Sequence, residues 1–117
     1  MSKFYCTSEQ HFDASHVAPV GATPACGPYV HGHRFWVKAT EQGTDAGVRG
    51  DLPTDLRSVL LELDVHPLGD MLIGGAQTLD GIAAWIMERL LSRRPRLTEV
   101  EVWIDDDYRV GVVREIR

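Results

Sequence analysis

The sequence predicts an α+β fold, an antiparallel sheet of four strands with two helices on one face. Three observations point to it. Two runs of alternating apolar and polar residues open the chain, two segments with apolar residues at helical spacing fill its middle, and two further alternating runs close it. Strand pairs on either side of two helices are satisfied by two hairpins in one sheet, with the helices sharing a face.

At 117 residues the chain is one domain, spanning residues 1–117. A composition of 44% hydrophobic and 25% charged residues is that of an ordinary soluble globular protein. The net charge of −5 argues against a general binder of nucleic acid or of anionic membranes, so neither is an expected partner. Cys6 and Cys26 form no disulfide framework, and the sequence shows no membrane-spanning apolar run and no charged-then-apolar leader. A reducing, cytoplasmic setting is the expectation.

The first strand covers residues 3–16, with Phe4, Cys6, Ser8, Gln10, Phe12, Ala14 and His16 on one face and His11 among those on the other. Val17 to Val30, rich in proline and glycine, reads as a loop that is either ordered for function or mobile. Residues 31–42 form the second strand, and Gly43, Gly47 and Gly50 mark a turn region. Asp51-Leu-Pro-Thr begins a helix, since Asp or Thr can cap and Pro is tolerated in the first turn. Leu56, Val59, Leu60 and Leu63 form its buried stripe. Residues 63–75 cross to a second helix capped by Thr78, with Leu79, Ile82, Ala83, Ile86, Met87, Leu90 and Leu91 as its apolar positions. Arg93 and Arg94 suit the negative pole at its end, and the run to Arg96 reads as a solvated helix end. Residues 98–106 form the third strand, Asp106-Asp107 the turn, and Tyr108, Val110 and Val112 continue as the fourth. The sheet's free edges and uncovered second face favour self-association. Trp36, Trp85 and Trp103 read as core or subunit-interface residues.

The chemistry concentrates between Ser8 and Trp36, which hold four of the five histidines and Cys26. Alternation puts His16 on one strand face, and His31 and His33 on the matching face of the next. Pairing the strands gathers three imidazoles, the ligand count of a metal site that keeps one position open. The alternative is three partly exposed strand histidines with hydrogen-bond duties. His11 falls on the opposite face and reads as surface.

Ordered along the chain, Phe12-Asp-Ala-Ser-His16, Cys26-Gly-Pro-Tyr-Val-His31-Gly-His33, Gly47-Val-Arg-Gly-Asp51-Leu52, Leu63-Asp64 with Leu68-Gly-Asp70, and Thr78-Leu-Asp80 with Ala83-Ala-Trp85-Ile86 resemble the 6-pyruvoyl and 6-carboxy-tetrahydropterin synthases. A late strand ending in acid completes the pattern. The resemblance implies the tunnelling fold, in which trimers close an oligomeric β-barrel and two trimers stack into a homohexamer. It also implies Zn²⁺ on His16, His31 and His33, with a pterin-like small molecule such as 7,8-dihydroneopterin triphosphate as substrate. In this family a cysteine acts as base, assisted by an aspartate–histidine pair. Carried over, these roles fall to Cys26 and Asp64, with substrate contacts at Thr78 and at an acid of the late strand. Asp106 is the best match for that acid, with Asp105 and Asp107 as its neighbours.

The chain departs from the family where the pair's histidine should stand. Val65 occupies that place, and His66 follows one residue later. A valine moves no proton. The sequence therefore leaves three readings open: a zinc-assisted lyase using Cys26, Asp64 and His66; a catalytically inactive pterin- or purine-binding protein that keeps fold and pocket; and an enzyme for a different purine- or pterin-like compound.

Overall fold

The computed structural model describes residues 3–16, 31–43, 51–65, 68 and 78–116, and the backbone but not the side chains of His16 and His31. Strands β1 (Tyr5–His16) and β2 (His31–Gln42) run antiparallel along their full length, from Tyr5 opposite Gln42 to His16 opposite His31. Strand β3 (Leu97–Asp105) pairs with β2, and β4 (Tyr108–Val113) pairs with β3, giving the sheet order β1-β2-β3-β4. Helix α1 (Leu52–Leu61) packs against β1, and helix α2 (Leu79–Leu91) packs against β3 and β4. Among the described residues this is the predicted fold, four antiparallel strands with two helices on one face.

Alternation builds the core. Phe12 and Ala14 of β1, Phe35, Val37 and Ala39 of β2, and Val100 and Val102 of β3 are all buried on the helix-covered face. Phe12 and Phe35 are register partners, with stacked rings 5.1 Å apart. Leu56, Val59, Leu60 and Leu63 bring the stripe of α1 onto this surface, and Leu79, Ile82, Ala83, Ile86, Met87 and Leu90 bring that of α2. Leu91 and Cys6 pack on the margin, and Cys6 is a free, half-buried thiol.

Helix starts follow their local signals to different degrees. Thr78 takes extended geometry at the start of α2, and its hydroxyl accepts a hydrogen bond from the Gly81 amide at 3.4 Å, the expected cap. Asp51 holds the corresponding place on α1 without a side-chain capping bond. Pro53 sits in the first turn, where its missing N–H costs nothing.

The end of α2 differs from the solvated terminus expected of Arg93, Arg94 and Arg96. Arg94 is only 15% exposed and grips Glu41 of β2 through two nitrogens, with Nε at 2.6 Å, while its Nη1 reaches Asp55 of α1 at 3.5 Å. This contact raises the Arg94 pKa through its hydrogen bond to Glu41. Arg96 donates to the Gln42 carbonyl at 3.1 Å. A buried Glu41 requires a cation, and the chain just after α2 supplies it. Arg93 alone stays half exposed.

Candidate functional site

The register sets the three histidine positions relative to one another. In β1 and β2, position 16 lies opposite position 31, and His33 lies opposite Ala14. Directly opposed positions in an antiparallel pair share a sheet face, so the three positions converge at one end of the β1–β2 hairpin on the face that carries Phe12 and Phe35. His33 is half-buried, its ring edge-on to Phe35 with centroids 5.9 Å apart. Among the described residues there is no group of three or more His, Cys, Asp or Glu side chains able to hold a metal ion. The His16 and His31 side chains, Cys26 and His66 lie outside the described residues.

A cavity of about 460 Å³ opens beside His33, lined also by Asp13, Ala14, Ser15, Gly32, Arg34 and Val65. Alanine at position 14 leaves room across from His33 that a larger residue would fill. Asp13 and Arg34 form a cross-strand pair at the mouth, with Nε 3.0 Å from the carboxylate. The hydrogen bond from Arg34 holds the Asp13 carboxyl below its ordinary pKa. Both side chains are half exposed, so this pair is a weak, salt-screened contact.

The structure gives Asp64 a definite job. Its Oδ1 accepts the Asp13 amide at 2.9 Å, while the Val65 amide donates to the Asp13 carbonyl at 2.6 Å. The two bonds clip the end of the α1 segment onto the outer edge of β1, satisfying backbone groups that an edge strand leaves unpaired. Val65 reaches this geometry with φ of 58°, a left-handed conformation unfavourable for a β-branched side chain, and it is 80% exposed at the cavity. Alternation gave no hint of this clip, because it depends on β1 and α1 meeting.

Thr78 is occupied as the cap of α2. Asp106 does not extend the alternation of Val102 and Ile104. Strand β3 slips register between Trp103 and Asp105 and ends there, so Asp106 sits in the turn, exposed and 3.5 Å from Arg109. His11, read from the sequence as surface, is not fully exposed, whereas Trp103 is buried as expected. His11 is half-buried, edge-on to Trp36 at 4.9 Å, and its Nδ1 is buried with no hydrogen-bond partner among the described residues. Trp103 is buried on the face away from the helices, with the Arg109 guanidinium 3.9 Å from its ring centroid.

These features define a class: a small α+β sheet domain with three histidine positions at the end of its longest hairpin. The sequence profile of 6-pyruvoyl tetrahydropterin synthase matches residues 5–115, and the chain belongs to that family. Solved structures agree at the level of fold. The chain is similar to 6-pyruvoyl tetrahydropterin synthase of Caenorhabditis elegans, with a TM-score of 0.81, 18% identity and 98% of each chain covered. It is similar to the Plasmodium falciparum protein of that name, with a TM-score of 0.69, 15% identity, and 99% of this chain and 100% of that one covered. A protein from Wolinella succinogenes aligns with a TM-score of 0.68 at 17% identity, over 98% of this chain and 100% of that one. No curated protein sequence matches the chain. No helix among the described residues is long and apolar enough to cross a membrane.

Proposed function

We propose that this chain binds a pterin-like molecule such as 7,8-dihydroneopterin triphosphate at the end of the β1–β2 hairpin, with Zn²⁺ on His16, His31 and His33. The register that sets position 16 against 31 and His33 against Ala14 is the observation that carries this reading. Three imidazoles suit zinc and leave a position for a ligand atom, so the donor set fits the ion. When bound, it supplies a Lewis acid beside the substrate's side chain. Arg34, at the cavity mouth, offers the positive charge a phosphorylated ligand needs.

In the lyase version Cys26 moves the substrate proton, with Asp64 and His66 assisting. Asp106 accepts the guanidine-like pterin edge, and Thr78 contributes at the start of α2. The clip through Asp64 favours a second version, a binding protein without turnover. There the carboxylate is spent on the Asp13 amide, and an aliphatic Val65 faces the cavity. Assembly as a homohexamer built from two trimers is part of the proposal. It is supported by the two sheet edges, β1 and β4, which pair with no further strand among the described residues and carry exposed Tyr5 and Val113. A cytoplasmic setting accords with the free thiol of Cys6.

The test combines elemental analysis with ligand titration on zinc-supplied protein. About one zinc per chain is expected, with saturable binding of 7,8-dihydroneopterin triphosphate, and His33→Ala should lose most of the metal. Protein that retains neither zinc nor pterin overturns the proposal. Product formation abolished by Cys26→Ala selects the lyase version, and binding without product selects the other.

A further inference from the structure

Val65 is the residue whose side chain agrees least with its backbone. The segment leaving α1 is fixed before it reaches this point. Leu63 is fully buried, and the amides of Leu63 and Asp64 both donate to the Leu60 carbonyl, at 3.0 and 2.9 Å. Asp64 and Val65 then hold the Asp13 amide and carbonyl. Within that clip Val65 has a φ of 58°, and among the described residues it is the one non-glycine residue with positive φ. Glycine or asparagine enters the left-handed region readily, whereas a β-branched side chain crowds its own backbone there.

Burial does not account for the valine. Its side chain is 80% exposed, so the core of the chain recovers little from it. A lone exposed valine on relaxed backbone needs no explanation, but one that is both strained and exposed does. Val65 lines the cavity beside His33, where it and Ala14 are the aliphatic residues of the wall. Strained residues persist at ligand sites when the surrounding structure over-determines them. Here the two bonds to Asp13 do so. They fix the backbone, and any residue tolerating that backbone would serve the clip. The isopropyl group is an addition that only the contents of the cavity can use.

We propose that Val65 is a specificity-determining residue, which packs on the side chain of the bound pterin and favours one ending in hydrocarbon over one ending in hydroxyl. The inference rests on the pterin reading and sharpens it. With Zn²⁺ at His33 and the pterin's side chain at the metal, that side chain is the part of the ligand this cavity receives. A hydroxyl pressed against the valine gives up water and gains no partner, whereas a methyl group gives up nothing.

Calorimetric titration of zinc-supplied, full-length protein tests the inference with 7,8-dihydrobiopterin and 7,8-dihydroneopterin of matched stereochemistry. The two differ by one terminal hydroxyl, so selection is read as a ratio of affinities. Dihydrobiopterin should bind about three- to tenfold more tightly to wild type. Val65→Thr keeps the β-branch and the strain but places a hydroxyl on the wall, so the ratio should fall to about one at an unchanged melting temperature. Val65→Asn also relieves the strain, and it should melt above wild type while losing the same preference. Val65→Ile should keep the preference. A wild-type ratio of one or less overturns the inference. So does a preference that survives both Val65→Thr and Val65→Asn, including the case in which these variants alter only subunit assembly. Failure of wild type to bind either pterin is a separate result, which removes the pterin reading and this inference with it, whereas equal binding of both removes the selection alone.

Discussion

The two faces of the sheet are made by the same four strands and hold together by different physics. On the helix-covered face, successive rows are apolar and almost wholly removed from water: Phe12 with Phe35, Val37 with Val102, Ala39 with Val100. On the open face the rows are polar or aromatic pairs, such as Asp13 with Arg34 and His11 with Trp36 and Trp103. The first face gains free energy in proportion to buried area and tolerates little change of volume. The second gains it contact by contact, each one small and several screened by solvent. The covered face therefore carries most of the stability, and even the histidine positions at its end share that face with Phe12 and Phe35.

Substitutions graded across the two faces sharpen this contrast. The largest loss belongs to Phe35→Ala, which removes a fully buried ring from its stack with Phe12. About 3–5 kcal/mol should disappear from the unfolding free energy measured in urea. A loss under about 1 kcal/mol would show that the covered face is not the stabilising one. An intermediate loss is expected where α1, α2 and β2 are tied together. Glu41→Gln leaves Arg94 in place without its charged partner, and roughly 1–3 kcal/mol should be lost. Equal stability of Glu41→Gln and wild type would mean that Arg94 is held by Asp55 and solvent alone.

The smallest effect belongs to the open face and is best read through pH. Arg34 depresses the Asp13 pKa below its ordinary value of 3.8, so the folded state favours the charged carboxylate. Its contribution is present above the unfolded value and is lost as pH falls through the folded one. Thermal melts below pH 4 should therefore fall slightly more steeply for wild type than for Asp13→Asn, and the difference should shrink in high salt. Parallel melts at every pH and ionic strength would remove the pair from the stability of the open face.

Much of this architecture is legible in the amino-acid sequence. Strand β2 occupies residues 31–42 as alternation predicts, and the stripes account for most of the buried helix residues, with Leu52 added on α1 and Leu91 only partly buried on α2. Thr78 caps as its residue type and place suggest. Of the candidate site, the facing of positions 16, 31 and 33 follows from strand periodicity once the hairpin is granted.

What escaped the sequence has a common character. Arg94 points inward because Glu41 arrives from the far side of the chain, and Asp64 is claimed by an amide of β1. The turn at Asp106-Asp107 was legible, but the slip in β3 between Trp103 and Asp105 is likewise a matter of pairing with β4.

By itself, then, the sequence determined the elements, the cap of α2 and the residues that face one another along each strand. These depend on periodicity and on hydrogen bonds within a few residues, which any local stretch of chain already specifies. Only the tertiary structure decided which charges are buried, where the ladders stop and leave cavities, and which carboxylates are spent on the backbone. Those outcomes depend on groups far apart in sequence competing for the same partners, and no local pattern records who wins.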